Sequence, residues 1–208
     1  RTLLDQFEVS KYRAVTTSAA REAKDKDKLV SAIAEETGIN LEIIDAEEEA
    51  RLVRVGCLAH LNATLNPRLI VDVGGGSLQI SMLMNRELER FVPLKIGMLR
   101  LRDMFQAPGK LGDKRAVKIY EHVLGELREH FPNPPILTQD IAIACAGNAE
   151  DLARLTSGRG VREMPTIKTE LLDTLSQAIT RSDVSERMRL FDVSMSRAEV
   201  MGLGTITF

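Results

Sequence analysis

The chain has 208 residues, 44 % of them hydrophobic, and carries 28 Lys and Arg against 30 Asp and Glu, for a formal net charge of -2. That is enough apolar residue for a substantial core in one or two domains, and without a basic block DNA is not an expected partner. No run approaches eighteen uninterrupted apolar residues, and the opening RTLLDQFEVS has neither the apolar core nor the cleavage site of a signal peptide. Neither a membrane partner nor export is therefore expected, and a cytoplasmic location is.

In chain order, a short helix is predicted over residues 3–9, a strand at YRAVTT (12–17) and a helix in DKLVSAIAEETG (27–38) closed by Gly38. INLEIID (39–45) reads as a strand and EEEARLVRVGCLAHLNATL (47–65) as a long helix, giving a β-α-β-α rhythm that predicts an α/β layer architecture. Asp45 and Glu48 have the spacing of a capping box; Ala50, Val53, Cys57 and Leu61 share one face, and Glu47 is placed to pair with Arg51. Cys57 and Cys145 sit in separate apolar segments and are expected to pack as small residues rather than to bridge.

RLIVDVGGGSLQISMLMNRELERFVPLKIG (68–97) reads as a three-stranded meander turned by the glycines and by NRE. Gln79 alternates with Ser77 and Ser81 on a face expected to line a cleft. MLRLRDMF (98–105) reads as a helix, QAPGKLGD (106–113) as a loop, and Val117, Tyr120, Leu124 and Leu127 mark an amphipathic helix. PNPPILTQ (132–139) is a connector; DIAIACAGNAEDLARL (140–155) combines an apolar strand, a glycine turn and a helix; further helices are expected at 170–179 and near 197–200.

Three chemistries stand out. Gly74, Gly75 and Gly76 leave no β-carbon to keep a ligand off, so their N–H groups, with the Ser77 hydroxyl, form a candidate phosphate cradle; a plain hairpin turn is the alternative. Asp72 places a carboxylate in an otherwise apolar strand, where a hydrated Mg²⁺ or the hydrogen bonds of the turn would satisfy it. TTSAAR sets Ser18 and Arg21 at a strand-to-helix junction that suits an anion or is an ordinary cap, and CAGNAEDL offers a second glycine turn at Gly147.

AVTTSAAREAKD, TGINLEIIDAEEEARLVRVG, LIVDVGGGSLQI and LKIGMLRLRDMF, in that order, resemble successive signatures of the exopolyphosphatase and guanosine pentaphosphate phosphohydrolase family. The resemblance covers at least residues 15–105; CAGNAEDLARL and SRAEVMGLGTITF extend it more weakly. It implies a ribonuclease-H-like α/β fold of the actin, hexokinase and Hsp70 group, a mixed sheet flanked by helices. Residues 1–46 would be the remnant of a first such domain, and 47–208 a second one truncated at its C-terminus. It also implies a Mg²⁺-dependent hydrolase that releases terminal phosphate from polyphosphate or guanosine pentaphosphate, and leaves a homodimer open. Glu49 would orient the attacking water, Ser18, Arg21, Gly74 to Ser77 and Gly147 would bind phosphate, and Asp72 and Gln79 would hold the metal.

The chain departs from the family pattern at several positions. Leu78 and Gln79 stand where Thr-Glu is usual, Asp45-Ala46 where Ser-Gly is, Asn148 where Thr is frequent and Lys24 where Asn is. Gln79 supplies an oxygen but no charge, so a ligand-binding regulator without efficient hydrolysis is the second expectation. An ATP-using relative on the same fold is a third, opposed by the TSAxRE and EEEAR strings. RTLLDQFEVSKY has no Asp-x-Gly-Ser-Asn loop, so the chain is expected to be a fragment, inactive by itself.

Overall fold

A computed structural model describes residues 2–107, 109–134, 141–157, 166–167 and 169–208. Two compact units result, Arg1–His60 and Leu61–Phe208.

The first unit runs α1 (Thr2–Gln6), β1 (Ala14–Thr16), α2 (Ser18–Glu22), α3 (Lys26–Thr37), β2 (Leu41–Ile43) and α4 (Ala46–His60). β1 and β2 pair in parallel, Ala14 opposite Leu41, the crossover expected of a β-α-β unit. Gly38 ends α3 in the left-handed region (φ 68°), its N–H donating to the Ala34 carbonyl at 2.9 Å. At the start of α4 the Glu48 N–H donates to Asp45 Oδ1 at 2.8 Å, the first half of the predicted capping box. The Glu48 carboxylate is instead held by Arg13 and by Arg51, whose Nε lies 2.6 Å away, so Arg51 pairs with Glu48 rather than Glu47. α4 stops at His60, short of the predicted end. Asn62 Oδ1 takes the Thr64 N–H at 3.0 Å, and this side-chain turn competes with continued helix.

The second unit opens with the predicted meander: β3 (Pro67–Val73), β4 (Leu78–Met84) and β5 (Glu87–Leu94), all antiparallel. Asn85 and Arg86, both at positive φ (53° and 68°), make the tight second turn, whose twist suits a two-residue hairpin. Then come α5 (Met98–Met104), α6 (Gly112–His130), β6 (Ile141–Cys145), α7 (Gly147–Ser157), α8 (Thr169–Arg181), α9 (Val184–Phe191) and α10 (Met195–Thr207). β6 lies parallel to β3, giving the sheet order β5-β4-β3-β6, a mixed sheet with helices and the ribonuclease-H-like arrangement the resemblance implied. Most of the predicted 132–139 connector lies outside the described residues.

Val73, Leu78, Ile80, Val92 and Leu94 of the sheet pack with Leu101 of α5 and with Ile119 and Val123 of α6. The buried face of α6 therefore runs through Ala116, Ile119, Val123 and Leu127, while Val117 and Tyr120 are more than half exposed. The predicted stripe is displaced around the helix: Ala116 and Ile119 face the core, and Val117 and Tyr120 do not. α9 was not anticipated, although DVSE carries its capping box: Asp183 Oδ1 accepts the Glu186 N–H at 2.8 Å, and the Glu186 carboxylate accepts the Asp183 N–H at 2.8 Å. From α9, Arg187 is fully buried and donates to the carbonyls of Ile179, Ala198 and Gly109 at 2.8, 2.8 and 3.0 Å, joining α8, α10 and the α5–α6 loop.

Candidate functional site

In the second unit the glycine loop between β3 and β4 is fixed by the helix that follows the sheet. Met98 N–H donates to the Gly74 carbonyl at 3.0 Å, Leu99 N–H to Gly75 at 2.8 Å and Arg100 Nε to Gly76 at 3.1 Å. Three consecutive loop carbonyls are thus turned into the start of α5. In a trans peptide the next N–H points opposite to the carbonyl, so the N–H groups of Gly75, Gly76 and Ser77 face away from α5 together. The loop needs glycine for closeness rather than for a left-handed angle. A β-carbon on Gly97 would lie 2.3 Å from Ser77 N, and one on Gly75 would press on Leu99 Cδ1 at 3.1 Å. Gly97 and Arg100 are the residues that sequence reasoning missed here; both lie inside the quoted LKIGMLRLRDMF string.

Asp72, the penultimate residue of β3, is half-buried and sits directly opposite Gln79 on β4, so their side chains share one face within a few ångströms. Gln79 is only 3 % exposed, and its buried Oε1 has no hydrogen-bond partner among the described residues. The expected serine and glutamine face is accordingly interior: Ser81 is buried as well, and only Ser77 reaches partial exposure. On its other side Asp72 is in register with Cys145 of the parallel strand β6. The glycine loop and the β6–α7 turn therefore leave the same end of neighbouring parallel strands, the end at which open α/β sheets bind ligands.

At that second turn Ala146, not Gly147, takes the left-handed conformation (φ 70°), and Gly147 is already the first residue of α7. The absence of a side chain at Gly147 makes room for Arg197, whose guanidinium occupies the place of a β-carbon. Arg197 Nε lies 3.7 Å from Asp151 Oδ2. Asn148 is buried against Gly204 of α10, where a β-carbon would meet its Cγ at 2.4 Å.

In the first unit the structure brings two predicted residues together. Arg21, in the last turn of α2, donates from Nη2 to Glu49 Oε2 at 2.9 Å and from Nη1 to the Ile44 carbonyl at 2.8 Å. Both side chains are about four-fifths buried, so the pair is more strongly held than an exposed one. Glu49 is thereby fixed in the first turn of α4 by a forked cation. Ser18 opens α2, half-buried, beside Thr17 at the helix N-cap. Cys57 and Cys145 are unbridged and half-buried.

A mixed sheet of this order, with two loops at one end of adjacent parallel strands, defines a ribonuclease-H-like α/β protein. The chain belongs to the Ppx/GppA phosphatase family, whose sequence model matches residues 1–208. It is similar to Exopolyphosphatase 1 of Mycobacterium tuberculosis and of Mycobacterium bovis, at 29 % identity over 200 residues covering 93 % of this chain and 58 % of each relative. The chain thus spans less than two thirds of those proteins' length. Among solved structures, an exopolyphosphatase from Cytophaga hutchinsonii superposes with a TM-score of 0.86 at 23 % identity, over 99 % of this chain and 68 % of that one. The Aquifex aeolicus family member gives 0.80 at 22 % identity, over 100 % and 68 %. These two likenesses are of fold.

Proposed function

We propose that the whole protein removes terminal phosphate from inorganic polyphosphate or guanosine pentaphosphate with the help of Mg²⁺. The observation that carries this reading is the glycine loop, whose three carbonyls accept hydrogen bonds from α5, which by trans-peptide geometry turns the N–H groups of Gly75, Gly76 and Ser77 to the opposite side. Such a row of N–H dipoles binds phosphate oxygens without net charge, as a chain of formal charge -2 requires. Ser77 adds a hydroxyl, and Ser18, Arg21 and Gly147 are further phosphate contacts on this reading; Arg21 has five N–H donors and keeps some beyond its bonds to Glu49 and Ile44.

Glu49 is the base. Arg21 holds Oε2, and Oε1 accepts a proton from the attacking water as its oxygen bonds to the terminal phosphorus. The P–O anhydride bond breaks in line, and the shortened phosphate chain leaves with the bonding pair.

Asp72 and Gln79 fit a hard cation. They offer oxygens from adjacent strands, and Gln79 Oε1 is an acceptor without a partner among the described residues. Among the described residues no cluster of three His, Cys, Asp or Glu could hold a metal by itself. When bound there, Mg²⁺ neutralises phosphate charge. On this reading the protein is cytoplasmic and has neither DNA nor a membrane as partner, and a homodimer stays open.

A second reading, binding of the same anions without efficient hydrolysis, is favoured by Gln79, a neutral amide at a position where charge would strengthen metal binding. Phosphate release by the protein at its natural full length, with Mg²⁺ and both substrates offered side by side, separates the two. Release by the wild type supports the hydrolase. Binding without release, with release appearing in Gln79→Glu, establishes the regulator.

A further inference from the structure

The three carbonyls of the glycine loop are not held alike. Met98 N–H donates to Gly74 at 3.0 Å, and the N–H groups of Leu99 and Arg100 both reach Gly75, at 2.8 and 3.4 Å. The next N–H, that of Leu101, already donates to the Gly97 carbonyl at 2.9 Å as α5 closes its first turn. α5 therefore has no backbone donor left for Gly76. That bond comes from a side chain instead: Arg100 Nε, from a half-buried residue, donates to the Gly76 carbonyl at 3.1 Å.

The Gly76 carbonyl and the Ser77 N–H belong to one planar trans peptide, so the guanidinium that fixes the carbonyl also fixes the opposite direction of the N–H. Ser77 is pinned from its other side as well, because its own carbonyl accepts the Gly74 N–H at 2.9 Å. It is also the loop residue that adds a hydroxyl to its N–H as a donor. Backbone alone holds the Gly74 and Gly75 carbonyls whatever side chain stands at position 100, whereas the Gly76–Ser77 peptide depends on that side chain. Without it, the freedom of Gly76 lets this peptide rotate and takes the Ser77 N–H out of line. We infer, on the reading of the loop as a phosphate cradle proposed above, that Arg100 is a positioning residue: from behind the loop, without touching the ligand, its Nε aims the Ser77 N–H at a phosphate oxygen.

The test compares Arg100→Met and Arg100→Gln in the full-length protein. Met Cε and Gln Nε2 both stand as many bonds from Cα as Arg Nε, but only the amide carries a hydrogen to donate, and neither carries charge. Equilibrium binding of tripolyphosphate is measured without added Mg²⁺, with circular dichroism matched to the wild type. Affinity is expected to fall about tenfold or more in Arg100→Met and to stay within about threefold of wild type in Arg100→Gln. Rescue by the isosteric donor is what a role in packing or bulk charge does not give. An Arg100→Met variant within about threefold of wild type overturns the inference, and so does an Arg100→Gln variant about tenfold weaker, a result that decides even if Arg100→Met does not fold. A wild type that does not bind tripolyphosphate removes the cradle and the inference together. The expected pattern in a protein that releases no phosphate with Mg²⁺ upholds Arg100 and removes only the hydrolytic reading.

Discussion

Arg187 and Gln79 are both buried polar side chains, and they are handled in opposite ways. Arg187 spends its donors on three backbone carbonyls, so its charge is solvated by peptide dipoles, although burial still draws its pKa down. Removing the guanidinium would strand those carbonyls in the interior, each at a cost of about 1–3 kcal/mol. Arg187→Leu is expected to lower the unfolding free energy by about 3 kcal/mol or more in urea titration, and a loss below about 1 kcal/mol would show the three bonds to be incidental. Gln79 Oε1, by contrast, has no hydrogen-bond partner among the described residues, which is what the proposed metal contact would answer. Neither fate was visible in the sequence. ERM and LQI report the presence of a polar residue, not what surrounds it in the fold.

At the scale of elements, the exposed cluster on β1, β2 and α4 gives a pH dependence. Bonds from Arg51 and Arg13 hold the Glu48 carboxyl down to about 2, Arg13 holds Glu42 below its ordinary range, and the two glutamates raise the Arg13 pKa. Because the folded pKa is lower than the unfolded one, near 4.5, this contribution is fully present above about 4.5 and is lost as pH falls toward about 2. Thermal denaturation should therefore fall more steeply across that acid window in the wild type than in Arg13→Gln, and added salt should narrow the difference. Equal slopes would remove the cluster from the account.

The elements were largely legible because their signals are local. Gly38 as a helix stop, Asp45 with Glu48 as a helix start, and the NRE turn of the meander all appear where short-range chemistry put them. The α6 face was not legible, since Val117 and Tyr120 are apolar yet turned outward, and tertiary packing chose Ala116 and Ile119. The same holds for the glycines. Their number announced a special loop, but what packs against it, Gly97 and Leu99, lies more than twenty residues further on.

At the scale of the whole molecule, each unit presents one part of the chemistry proposed for it. In Arg1–His60 a largely buried arginine fixes a glutamate; in Leu61–Phe208 two loops leave adjacent strand ends beside a carboxylate and an amide oxygen without a partner among the described residues. The order of the motifs made the family legible, whereas their partners were not: Arg21 with Glu49, and Gly97 and Arg100 with the loop, are contacts between residues 20 or more positions apart in sequence. The central claim is that Glu49, held by Arg21, activates water. It is tested most directly by steady-state phosphate release from polyphosphate by the full-length protein with Mg²⁺, wild type against Glu49→Gln, which keeps an oxygen for Arg21 but cannot take a proton. The account predicts a fall in kcat of about 100-fold or more with KM little changed; turnover within about twofold of wild type would contradict it.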